Sequence, residues 1–132
     1  MSLYDEKAIA GTRNCITSVP EQAAADATAN VALAYFKENV TVTAAYYVPE
    51  AAISGVDTNT RHLNLQTSAA VEKANIDFIS GVDGVAATRK AFSAITEFNV
   101  DAGGALILVS EKVGSGLALP AGLLVVEYRN RA

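Results

Sequence analysis

Short segments of alternating character run along most of this chain. In residues 31–36, Val31, Leu33 and Tyr35 alternate with Ala32, Ala34 and Phe36, so a strand there has apolar or small side chains on both faces, as if covered on both sides. After Lys37, Glu38 and Asn39, the residues Val40, Val42, Ala44 and Tyr46 alternate with Thr41, Thr43, Ala45 and Tyr47. Successive side chains of a strand point to opposite faces, so one set can enter a core while the threonines face outward. The two runs together predict a hairpin.

The same pattern recurs at lower contrast. Residues 14–19 predict a strand stopped by Pro20, and the Ala-rich residues 21–29 predict a connection with at most one helical turn. Residues 49–53 suit one helical turn, with Pro49 at its start, Gly55 just past its end and Ile53 anchoring it in the core. Residues 56–60 form a polar loop. Leu63 and Leu65 alternate with His62, Asn64 and Gln66, and Ile76 and Phe78 alternate with Asn75 and Asp77, giving half-buried strands. Residues 81–84 turn the chain. The period of residues 90–95 decides nothing, and Phe98 and Val100 lead into a turn at residues 101–104. The apolar run 105–109 has strand length, residues 114–116 form a flexible glycine loop, and residues 119–122 suit a type I turn. Residues 123–128 predict a last strand.

About eight short strands with no long amphipathic helix between them predict an all-β fold, and eight strands in two sheets is the jelly-roll count. Residues 14–132 are expected to form this single β-sandwich domain. Residues 1–13 have no clear period; Leu3, Tyr4 and Ile9 are their apolar points. They read either as a frayed terminus or as an N-terminal arm docked on a neighbour.

Composition narrows the function classes. The chain has 132 residues, 51% of them hydrophobic and 18% charged, which excludes a disordered chain. Much of the apolar fraction is Ala and Val and there is no Trp, so a sandwich of modest thickness suits its side chains. The net charge is −4, and Arg89-Lys90 is the only adjacent basic pair. Nucleic-acid binding needs clustered cations, so nucleic acid is not expected as a partner. Cys15 is the single cysteine, which rules out an intrachain disulfide and suits folding in a reducing cytoplasm. Neither a signal-peptide core nor a membrane span is expected.

No constellation of catalytic residues stands out. His62 is the only imidazole and falls on the polar face of its strand, where a surface role is expected. One Cys and one His cannot build a usual zinc site, and no cofactor is expected. Asp57-Thr58-Asn59 starts like a calcium loop but lacks the following pattern; a loop capping its own backbone explains it better. Glu50, Asp57, Glu72, Asp77, Asp83, Glu97 and Asp101 are spread along the chain with nothing in the sequence to pair them. Gly114-Ser115-Gly116 lacks the remainder of a phosphate loop. Asn39-Val40-Thr41 matches a glycosylation acceptor, which carries little weight without a secretion signal.

One stretch carries a resemblance. Tyr46-Tyr47-Val48-Pro49-Glu50-Ala51-Ala52-Ile53-Ser54-Gly55-Val56-Asp57-Thr58-Asn59-Thr60-Arg61, ending in His62-Leu63-Asn64-Leu65, resembles the small jelly-roll proteins of tailed bacteriophages. Val100-Asp101-Ala102-Gly103-Gly104-Ala105-Leu106 and Gly114-Ser115-Gly116-Leu117-Ala118-Leu119-Pro120-Ala121-Gly122-Leu123 are similar to their late turn and closing loop. The resemblance covers roughly residues 31–128. It implies a capsid decoration, or cement, protein: a structural virion protein, commonly a homotrimer, bound to the major capsid protein on the outer capsid surface. Such a protein would be made in the host cytoplasm and would be no enzyme. Leu3, Tyr4, Ile9 and Arg13 are the candidate subunit or capsid contacts. The alternative is a receptor- or glycan-binding β-sandwich module of a phage fibre or head appendage, with Tyr46, Tyr47 and Tyr128 as candidate sugar contacts. An enzyme on a cupin-like barrel is a third class, against which a single histidine counts heavily.

Overall fold

The computed structural model describes residues 11–93 and 95–131, and the described residues contain strands and no helix. The strands are β1 (Arg13–Val19), β2 (Ala29–Tyr35), β3 (Val40–Pro49), β4 (Thr60–Thr67), β5 (Glu72–Asp77), β6 (Lys90–Ala91), β7 (Phe98–Val100), β8 (Ala105–Val113) and β9 (Gly122–Asn130). Arg13, assigned to the arm from the sequence, is the first residue of β1.

Two antiparallel sheets face each other. One runs β1-β9-β3, with β6 and β7 both on the far side of β3; the other runs β2-β8-β4-β5. β6 meets β3 at Tyr46 and Tyr47, and β7 meets it at residues 40–42, so the two are pieces of one interrupted edge strand. With that strand counted once, the pairings nest: first with last, β2 with β8, β3 with the interrupted strand, and β4 with β5. This is the jelly-roll wrapping of one long folded hairpin around a core.

The nesting overturns the expected hairpin between β2 and β3. They lie in different sheets, and β2 pairs with β8 instead. Lys37, Glu38 and Asn39 turn a corner between sheets. Phe36 pairs there with residues 103–104 through backbone bonds of 2.8 and 3.0 Å, and Asn39 Oδ1 accepts the Ala102 amide at 2.9 Å. Nor is β2 covered on both sides: Leu33 and Tyr35 are 56% and 59% exposed.

The core lies between the sheets. Leu63 and Leu65 from β4, Leu106 and Leu108 from β8, Leu124 and Val126 from β9, and Val42 and Tyr47 from β3 are fully or almost fully buried. Fully burying a side chain of this size stabilises by roughly 1.5–3 kcal/mol, and this layer is the main source of stability. Phe36 meets Tyr128 and Tyr47 meets Phe78 edge-to-face. Both open sides are closed. Thr17 Oγ1 donates to the Leu33 carbonyl at 2.9 Å across the β1/β2 seam. On the opposite side Phe92 donates to Ala45 and Ser93 donates to Asn75, so one short segment joins both sheets.

Candidate interaction surface

The registers place four loops at one end of the sandwich: residues 20–28, 50–59, 78–89 and 114–121. The opposite end carries the short turns 36–39, 68–71 and 101–104 and the start of β1. The long loops are laced together. Gln22 and Leu119 exchange two backbone hydrogen bonds of 2.9 Å, and Ile53 and Gly84 exchange two of 3.0 and 2.8 Å. Glu50 donates to Ala121, and the Tyr47 hydroxyl donates to the Pro120 carbonyl. Burial, with the Glu50 charge adding to it, pushes the Tyr47 phenol far above its usual pKa.

Arg61 holds this end from within. Its side chain is fully buried. Its Nε donates to Leu117 at 2.9 Å, Nη1 to Asp26 at 3.1 Å, and Nη2 to Ala23 and Ala24, both at 3.1 Å, all backbone carbonyls. A guanidinium presents its donors as a rigid planar fork, which suits four acceptors converging from two loops. Burial pulls its pKa down and the charge of Asp26 opposes that, but an arginine remains a cation throughout the physiological range. Nothing in the sequence analysis assigned Arg61 this role.

Several local expectations change here. Residues 50–52 bend without forming a helical turn, although Ile53 is anchored in the core as expected. Residues 119–122 make no type I turn: Leu119 bridges to Gln22 and β9 starts at Gly122. Residues 114–116 form a tightly packed turn rather than a loose loop. A Cβ on Gly116, at φ +84°, would lie 1.9 Å from the Ala24 carbonyl oxygen. Asn59 caps the neighbouring loop, not its own: its Oδ1 accepts the Ser115 amide at 2.9 Å.

Of the candidate contacts, Leu3, Tyr4 and Ile9 lie outside the described residues, and Arg13 is exposed at the short-turn end. Arg13 lines an open groove of ≈ 300 Å³ with Tyr35, Phe36, Glu38 and Tyr128. The three candidate sugar-binding tyrosines have other surroundings. Tyr47 is buried, Tyr128 packs on Phe36, and the Arg89 guanidinium lies 4.6 Å over the Tyr46 ring.

The outer faces of the two sheets differ. On the five-stranded sheet, Ile16, Val125, Tyr46 and Ala91 are directly opposed across β1, β9, β3 and β6. Ser18, Leu123 and Val48 form the next row. The outer face of β4 instead carries a polar cluster. His62 lies 3.5 Å from both Glu72 and Asp77 and 2.6 Å from Asn64 Oδ1, and Asn64 donates to Glu111. His62 lies on the outward polar face as expected, and strand register, which the sequence does not give, brings Glu72 and Asp77 to it. Burial alone would lower the His62 pKa, but bonds to Asn64, Glu72 and Asp77 together raise it. Among the described residues no group of three or more His, Cys, Asp and Glu is placed to hold a metal ion.

Comparison of the chain with protein-family models, with curated proteins and with solved structures finds no match.

Proposed function

We propose that this chain is a structural virion protein that binds the outer surface of a tailed-phage capsid, contacts the major capsid protein and stabilises the shell as a homotrimer. The observation that carries the reading is the use made of the stretch that resembles phage jelly-roll proteins. Ile53 ties its loop to Gly84, Asn59 caps the 114–121 loop, and Arg61 clamps that same loop to the 20–28 loop. These residues stiffen the loop end of the protein, which suits a building block that docks without rearranging. A preorganised surface loses little entropy on docking. Three linked copies would multiply weak contacts through effective concentration. Leu3, Tyr4, Ile9 and Arg13 are the proposed contacts, with Arg13 beside the open groove.

The test is sedimentation of labelled protein with mature capsids that lack it. Saturable binding at a fixed number of copies per shell is expected. Absence of binding to mature shells would overturn the proposal, and saturable glycan binding in its place would move the chain to the receptor-binding class.

A further inference from the structure

We propose that the apolar half of the five-stranded sheet's outer face is where copies of this chain meet one another. The inference rests on the reading of the protein as an oligomeric building block, and it names the partner of one face.

An exposed sheet face ordinarily alternates apolar-in with polar-out. Here the outward positions of two adjacent rows are Ile16, Val125, Tyr46 and Ala91, then Ser18, Leu123 and Val48, with no Asp, Glu, Lys or Arg among them. Ile16 is 59% exposed and Leu123 39%. Permanent contacts between copies are more apolar than transient ones, and their centres are depleted in charge.

The flanking charges identify the occupant. Arg89 lies over Tyr46, and no carboxylate pairs with it among the described residues. Glu127 is opposed by Asn14 and Ala44 and likewise has no cation partner among the described residues. Nearby Arg129 and Arg131 are by contrast paired, with Glu97 and Asp101. β6 and β9 both run antiparallel to β3 and so run in the same direction. Tyr47 pairs with Lys90, so Arg89 falls level with Val48 at the β6 end of the second row, whereas Glu127, two residues after Val125, lies on the other side of the first row. A surface with one unpaired cation and one unpaired anion across an apolar stripe matches itself. Arg89 of one copy meets Glu127 of the next, in a closed ring as in a two-fold pair.

The experiment is sedimentation equilibrium of the free full-length chain, with circular dichroism to verify folding and a parallel capsid-binding assay. The native protein is expected to be oligomeric and Val125→Asp a folded monomer. Arg89→Glu is expected to weaken association about tenfold, as for loss of one close charge pair, and Arg89→Glu with Glu127→Arg to restore it. Should Val125→Asp fail to fold, the exposed charge swap still decides. A monomeric native protein, an unchanged Val125→Asp oligomer, or a double swap as weak as the single one would overturn the inference. An oligomeric Val125→Asp that no longer binds shells would assign the face to the shell and overturn it too. Failure of the native oligomer to bind shells would instead remove the proposed function and leave this face assignment standing.

Discussion

The two ends of the sandwich are built differently. At the short-turn end Gly103 has φ +83° and open space where a Cβ would go. At the loop end Gly116 has nearly the same φ, +84°, but its Cβ would collide with the backbone of another loop. One glycine is required by its own conformation alone; the other is also required by a neighbour. Of the short turns, 68–71 joins neighbouring strands of one sheet, whereas 36–39 and 101–104 cross between the sheets and hold each other through the backbone of Phe36 and the side chain of Asn39. The long loops could adopt many shapes, and Arg61 with the two backbone bridges selects one. A jelly roll can thus carry long loops at one end without their being loose.

That contrast can be broken in order of expected effect. The largest loss should follow Arg61→Met, which fills similar space but strands four carbonyls: about 3 kcal/mol or more, since each buried acceptor left unpaired costs about 1–3 kcal/mol. Urea denaturation would measure it, and a loss below about 1 kcal/mol would mean water replaces the guanidinium without difficulty. Next comes the glycine pair. Gly116→Ala should cost about 2–4 kcal/mol from backbone strain and overpacking together, whereas Gly103→Ala should cost about 1–2 kcal/mol from strain alone. Equal losses would remove the distinction between the ends. Asn59→Ala should cost about 1 kcal/mol, and hydrogen exchange should show the Ser115 amide losing protection.

The smallest effect lies on the outer face of β4 and depends on pH. The His62 pKa is raised in the fold. Its cation therefore contributes stability that is complete below the unfolded pKa of about 6.5 and is lost as pH rises through the higher folded value. Melting curves should show the native protein losing stability over that window relative to His62→Gln. Identical pH profiles would show that Glu72 and Asp77 do not hold the imidazolium.

Alternation made the strands around residues 40–47, 62–66 and 75–78 legible, because a half-buried strand must alternate whatever it pairs with, and the dense runs of the last third were legible from their length and their strand-favouring side chains. Pairing was not legible in the same way. A three-residue turn with alternating flanks suits a hairpin and a corner between sheets equally, and only the nesting with β8 decides for β2. The polar cluster was hidden for a related reason: His62 meets Asp77 and Glu111 by register, across long sequence separations. Arg61 was within reach. It shares the parity of Leu63 and Leu65, so the pattern that points His62 outward points Arg61 into the core. Its partners are backbone carbonyls, however, which no pattern of side chains encodes.

Under the proposed function the protein is a stiff adhesive block whose attachment protects a larger assembly. A ligand that binds only the assembled shell stabilises it by mass action. The direct measurement is the melting temperature of capsids carrying increasing amounts of the protein. We expect it to rise with occupancy and level off when the sites are full. Fully occupied capsids that melt at the same temperature as bare ones would contradict the account.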